Sequence, residues 1–168
     1  DGLGAMMLGN EPAQGRYMSE KPRRRDESII SKPMMTQIVI MGLWLTVLSF
    51  VFLKAPFFNQ FFGTEEQKLT AYFVFFIWSA LFNGFNVRDD GFAIFKGLDE
   101  NTGFLKVFAI IVAVQALIVN AALVPVLAWI GEMFSCYPFG LAGWAVVIVL
   151  AATMIPVDMV RKALTHQA

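Results

Sequence analysis

Charged residues are missing from four long stretches of the chain. Pro33–Leu53, Leu69–Val87, Val107–Gly131 and Met133–Val157 contain no Asp, Glu, Lys or Arg and are filled with Ile, Leu, Val, Phe and Met. A helix rises about 1.5 Å per residue, so about 20 residues cross a hydrocarbon core roughly 30 Å thick, and each stretch is about that long or longer. A large soluble protein can bury one such helix. Four of them leave a chain of 168 residues too little polar surface to solvate a globule. The pattern predicts an all-α fold, a polytopic membrane helical bundle with four full spanning helices.

Punctuation refines the boundaries. Lys32-Pro33 opens the first span, because proline is tolerated in a first helical turn. Gly63-Thr64-Glu65-Glu66 reads as the start of the second, with Thr64 as cap and acids in the first turn. Pro125 lies late in the third window, so that helix kinks or ends nearby. The expected spans are 33–54, 68–87, 106–130 and 141–160. A basic loop over 11–32, connections over 55–67, 88–105 and 131–140, and a tail over 161–168 complete the division. Aromatic residues crowd the expected outer membrane interface in two places: Phe57, Phe58, Phe61 and Phe62 in the second loop, Trp129 and Trp144 around the fourth connection.

The loops set the orientation. Arg16, Lys21, Arg23, Arg24, Arg25 and Lys32 precede the first span, Arg88, Lys96 and Lys106 follow the second, and Arg161 and Lys162 follow the last. Only Lys54 and Lys68 fall on the opposite face. The positive-inside rule therefore puts the basic loop, the 88–105 connection and the C-terminus in the cytoplasm.

Composition narrows the function classes. The chain is 57% apolar and 15% charged with a formal net charge of zero, so a nucleic-acid partner held by overall positive charge is not expected. The single cysteine, Cys136, can form neither an internal disulfide nor a cysteine-cluster zinc site, and the single histidine, His166, cannot make a bis-histidine haem. Cys136 reads as an inert thiol and His166 as an exposed tail residue. No Ser/His/Asp, Cys/His or phosphate-loop pattern is present, so neither a catalytic nor a cofactor-binding residue is expected. The chain begins at Asp1 rather than Met, with no leader after it, and reads as a piece of a longer protein.

Polar groups at membrane depth are functional candidates, and the four charge-free spans offer no proton relay. Gln37, Asn83, Asn86, Gln115 and Asn120 remain, with Ser79, Asn83 and Asn86 on one helical face. They serve either interhelical hydrogen bonds, worth about 0.6 kcal/mol each, or ion coordination. Asp1 is different, because it precedes an uncharged stretch and then Glu11-Pro12. As a helix, Asp1 to Gly9 covers about 13 Å, half a hydrocarbon core. Asp1 would then lie near the midplane, where a carboxylate needs polar neighbours or a cation; the other reading is an unstructured terminus. The run Lys21-Pro22-Arg23-Arg24-Arg25 either anchors the cytoplasmic side or docks a cytoplasmic domain or anionic lipid.

The opening Asp1-Gly-Leu-Gly-Ala-Met-Met-Leu-Gly-Asn-Glu-Pro-Ala resembles the end of the sixth transmembrane helix of P-type cation ATPases. The loop from Met18 to Ser31, with Lys21-Pro22 and its closing Ile30-Ser31, resembles that family's connection between helices six and seven. Leu81-Phe-Asn-Gly-Phe-Asn-Val-Arg88 is similar to the end of helix eight in plasma-membrane-type calcium ATPases. Gln115-Ala-Leu-Ile-Val-Asn120 and Phe134-Ser-Cys136 are similar to positions in and after helix nine. The resemblance runs in order along the whole chain. It implies the C-terminal transmembrane part of a calcium-transporting P-type ATPase, with residues 1–10 ending a truncated helix and four complete helices after it.

The resemblance implies that Asp1 is a ligand for calcium, the transported ion. Calcium takes roughly six to eight oxygens, so earlier helices would complete the set. ATP and magnesium would be bound by upstream domains. The implied partners are the lipid bilayer, the upstream membrane helices and the cytoplasmic phosphorylation domain of the same pump, which Lys21–Ile30 would touch. Helices seven to ten would act as a scaffold. Ala80 stands where some calcium ATPases carry a Glu or Gln ligand, so one calcium per cycle is expected. The long calmodulin-binding tail of animal pumps does not follow His166-Gln167-Ala168, which implies a bacterial inner-membrane relative or a trimmed chain. The rival expectation is a non-catalytic, stand-alone four-helix membrane subunit or scaffold. Half of a secondary transporter fits less well, because the complete spans lack a carboxylate, a half-helix break near mid-membrane and any repeat.

Overall fold

The computed structural model describes residues 2–9, 30–88 and 91–165. The expectations placed on Asp1, on the run Lys21–Arg25 and on His166 lie outside the described residues. Within them the regular structure is helical: α1 (Gly2–Gly9), α2 (Lys32–Lys54), α3 (Glu65–Asn86), α4 (Thr102–Asn120), α5 (Ala128–Met133), α6 (Leu141–Ala152) and α7 (Met154–Thr165). Short 3-10 turns occupy Pro56–Phe61, Ala121–Leu123 and Pro125–Leu127. Among the described residues, four stretches are long and apolar enough to cross a membrane: Lys32–Lys54, Glu65–Asn86, Thr102–Leu123 and Leu141–Thr165.

Side-chain caps start three of these helices. Ser31 Oγ accepts from the Met34 amide at 3.3 Å, with Pro33 in the first turn. Thr64 Oγ1 accepts from Gln67 N at 3.2 Å, with Glu65 and Glu66 beside the positive helix end. Asn101 Oδ1 accepts from Phe104 N at 2.9 Å and starts α4 about one turn before the charge-free window, so Lys106 is helical. That helix stops at Asn120 and continues as 3-10 turns around Pro125, which has no amide proton to carry an α ladder.

The last span is broken between α6 and α7, and Pro156 is the reason: it cannot donate to the Ala152 carbonyl. Two neighbouring helices secure the break. Thr153 Oγ1 donates to Leu150 O at 2.6 Å and accepts from Trp44 Nε1 of α2 at 3.1 Å. Asn86 Nδ2 of α3 donates to Met154 O at 2.9 Å.

Helix α3 is the centre of the bundle, with 56% of its most apolar stretch buried against 11% for α2. It packs against α6, α7 and α2, while α1 lies on α4 and α3. The core is largely aromatic. At the Lys68 end, Phe52 meets Phe58, Phe62 and Phe75 at centroid distances of 5.1, 5.8 and 5.8 Å. Gly143 of α6 admits this cluster: a Cβ there would lie 2.7 Å from Phe62 and 2.9 Å from Phe139. Trp144 is drawn into the packing as well, 4.9 Å from Phe139 and 5.6 Å from Trp78. Trp129 remains exposed.

At the other end Phe85 meets Phe104 at 5.0 Å and Phe108 at 5.4 Å, and the Arg88 guanidinium lies 5.0 Å from the Phe104 ring centre. Helix α2 instead leaves Ile38, Leu43, Val47 and Phe50 exposed. An apolar face of that length suits lipid rather than water.

Candidate functional site

Eight residues make α1 about 12 Å long, too short to cross a bilayer. Its one buried residue is Met7, 2% exposed. Met7 sits on Gly84 of α3, near the first turn of α4. A Cβ at Gly84 would lie 2.5 Å from Met7 Cε and 3.9 Å from the Phe104 ring. Beside this contact opens a cavity of about 750 Å³, whose wall includes Gly2 and Gly4 of α1 with Phe76, Ala80 and Asn83 of α3. Ala80 brings only a methyl group to it. Asn83 brings an amide.

The amide face predicted on α3 is only partly used between helices. Asn83 Oδ1 accepts from Asn86 Nδ2 at 3.1 Å, and the same nitrogen reaches Met154 O on α7. Ser79 donates to Phe75 O and Asn120 Nδ2 to Ala116 O, both within their own helices, at 2.8 Å each. Gln115 is buried, and neither of its side-chain polar atoms has a hydrogen-bond partner among the described residues. Gln37 shares with Asn83 a second cavity of about 360 Å³ between α2, α3 and α7.

The sequence reading missed three charged residues that the fold buries together. Asp158, Arg161 and Lys162 fall just past the last charge-free window and read as a boundary and tail. Helix α7 runs on to Thr165 and carries them inside. Asp158 is 0% exposed; its Oδ1 accepts from Arg161 Nε at 2.6 Å, and its Oδ2 lies 3.2 Å from Lys162 Nζ. Lys162 Nζ donates to the Asn86 carbonyl at 2.9 Å, capping the end of α3. The signal was present in the sequence as the i, i+3, i+4 spacing of one acid and two bases. Lys68 was missed in the same way. It is buried within α3 and donates to Leu53 O at 3.0 Å and Asn59 Oδ1 at 2.7 Å.

Cys136 is buried in the turn after α5, and burial pushes its thiol pKa up. Among the described residues, no group of three or more His, Cys, Asp or Glu side chains is placed to hold a metal ion.

The central α3 and the four apolar spans define a class first: a polytopic helical membrane protein. Residues 1–164 match the family described as "Cation transporting ATPase, C-terminus", and the chain belongs to that family. It is 33% identical over 172 residues to "Calcium-transporting ATPase 5, plasma membrane-type" of Oryza sativa subsp. japonica, covering 96% of this chain and 15% of that protein. It is 27% identical over 170 residues to "Calcium-transporting ATPase 2" of Schizosaccharomyces pombe, covering 99% of this chain and 12% of that protein. With "Plasma membrane calcium-transporting ATPase mca-1" of Caenorhabditis elegans the identity is 27% over 161 residues, covering 89% of this chain and 12% of the relative. The chain thus spans about 15% or less of the length of these three proteins. Family and apolar helices together make it integral to a membrane.

Proposed function

We propose that the chain serves as the C-terminal membrane part of an ATP-driven calcium pump, in which α2 to α7 scaffold the ion path and α1 contributes its edge. The observation that carries this reading is the family match over residues 1–164, together with relatives whose names specify calcium transport. On this reading α1 is the second half of a helix that begins upstream. Asp1 opens the Asp1-Gly-Leu-Gly stretch that resembles the end of the family's sixth membrane helix. A carboxylate there supplies hard oxygen ligands to a calcium ion in transit, and upstream helices supply the others.

Ala80 offers no oxygen, in keeping with one calcium per cycle. The aspartyl-phosphate chemistry, with its ATP and magnesium, belongs to domains outside this chain, and the loop over Lys21–Ile30 faces the phosphorylation domain. The charge distribution favours a cytoplasmic C-terminus.

The test is Asp1→Asn in the intact protein. Calcium-dependent phosphorylation by ATP is expected to disappear, because removing the charge removes a direct ligand. A variant with unchanged calcium activation would take Asp1 out of the ion site.

A further inference from the structure

The third apolar stretch outlasts the helix it predicts. Its charge-free window runs to Gly131, yet α4 ends at Asn120 and its 3-10 continuation at Leu123. Lys106 and Leu123 stand about 17 residues apart, or about 25 Å along a helix axis. A hydrocarbon core is about 30 Å thick, so with Lys106 at one polar boundary Leu123 stops short of the other. The chain then folds back on itself: a Cβ on Gly131 of α5 would stand 3.4 Å from the Ala122 Cβ.

This fold-back has the two properties that lipid demands. Its backbone finds partners inside the protein. Val124 N donates to Ala121 O at 3.0 Å, Leu127 N to Val124 O at 2.8 Å and Cys136 N to Gly131 O at 2.9 Å. Tyr137 N donates to Thr70 Oγ1 of α3 at 3.1 Å, and Gln67 Nε2 of α3 donates to Pro138 O at 2.7 Å. Irregular backbone is tolerated at membrane depth only when it is satisfied in this way. Its outward side chains are apolar as well: Leu123, Val126, Trp129, Met133, Phe134 and Leu141 are exposed, Val126 and Leu141 at 80% and 88%. Ile110, Val114 and Leu117, exposed at spacings of four and three, form a lipid-type face on α4 that leads up to them. Glu132 is the one charged residue between Val107 and Val157.

We propose that residues 124–137 are immersed in lipid, among the upper acyl chains and glycerol groups at the Lys68 end of the bundle, and are not a loop in water. With one acid and no base, the segment takes neutral or zwitterionic lipid and has nothing to hold an anionic headgroup. Gln67 and Thr70 tie it to α3, so its seat in the lipid also fixes the height of the central helix. The surface follows from membrane integration and does not depend on which ion is moved.

The experiment uses the intact protein in phosphatidylcholine vesicles, with the emission of Trp129 read as the difference between the parent and Trp129→Phe. Phosphatidylcholine brominated in the upper half of its acyl chains is expected to remove at least half of that component, and aqueous iodide less than about a tenth. Quenching by iodide that exceeds quenching by brominated lipid would put the segment in water and overturn the proposal. Resistance to both quenchers would mean that protein covers it, either a partner subunit or another part of the same pump, and overturns the proposal equally. Should Trp129→Phe give no measurable difference, adding Val126→Trp to it supplies a probe at a position already open on the surface, with the same result expected. Emission from position 126 that brominated lipid leaves unchanged overturns the proposal in the same way.

Discussion

Lys68 and Cys136 show how far a single residue departs from its reading in sequence. Lys68 counts as a loop cation at the edge of a span. In the fold its ammonium joins the last turn of α2 to the Pro56–Phe61 turn, through Leu53 O and Asn59 Oδ1. A buried lysine is retained only with such acceptors. Lys68→Met removes a charged donor and leaves both acceptors unmet. It is expected to cost about 2 kcal/mol, measured as a lower unfolding midpoint of the purified intact protein.

Cys136 reads in sequence as an inert thiol, and in the fold burial in the turn after α5 pushes its thiol pKa up. The neutral form is favoured, so less thiolate is present at any pH below the raised pKa. A thiol reagent at pH 8 is therefore expected to modify Cys136 more slowly than a free cysteine, with the rate still climbing at pH values where the free thiol has levelled off. Modification at the free-cysteine rate would show that the turn after α5 is open.

At the scale of elements, helix existence was legible, and helix ends were legible only where a local cap marks them. Four charge-free windows mark four spans because no water is available in a bilayer core to solvate charge. Yet α3 takes in Lys68 and α7 takes in Asp158, Arg161 and Lys162. A window that stops at each charge misses these residues, since charges that pair or cap a helix end need not leave the packing. Thr64 and the Lys32-Pro33 start were readable because a cap is a local signal. The partner of Asn86 was not, because Met154 O lies on another helix 68 residues away in sequence.

The buried cluster makes a firm prediction. Asp158→Ala leaves Arg161 and Lys162 buried without their anion, and is expected to cost about 3 kcal/mol. Thermal unfolding of the intact protein reads it directly, and a change below about 1 kcal/mol would mean that the two bases find other partners.

For the whole molecule, the all-α bundle followed from hydropathy alone, while the site followed only from resemblance. No spacing rule picks out Asp1 as a ligand, because a lone carboxylate defines no coordination geometry. The Met7–Gly84 contact was equally silent: a methionine in an apolar run and a glycine between Asn83 and Phe85 gain meaning only when two helices meet. Sequence reported what each segment needs from its solvent, and the fold reported what the segments need from each other.

The central claim is that this membrane part belongs to a pump that moves calcium with ATP. Uptake of radioactive calcium into sealed vesicles containing the intact protein tests it most directly. The account predicts accumulation that requires ATP, is released by a calcium ionophore and is abolished by Asp1→Asn. Folded protein that hydrolyses no ATP in response to calcium and accumulates none would contradict it.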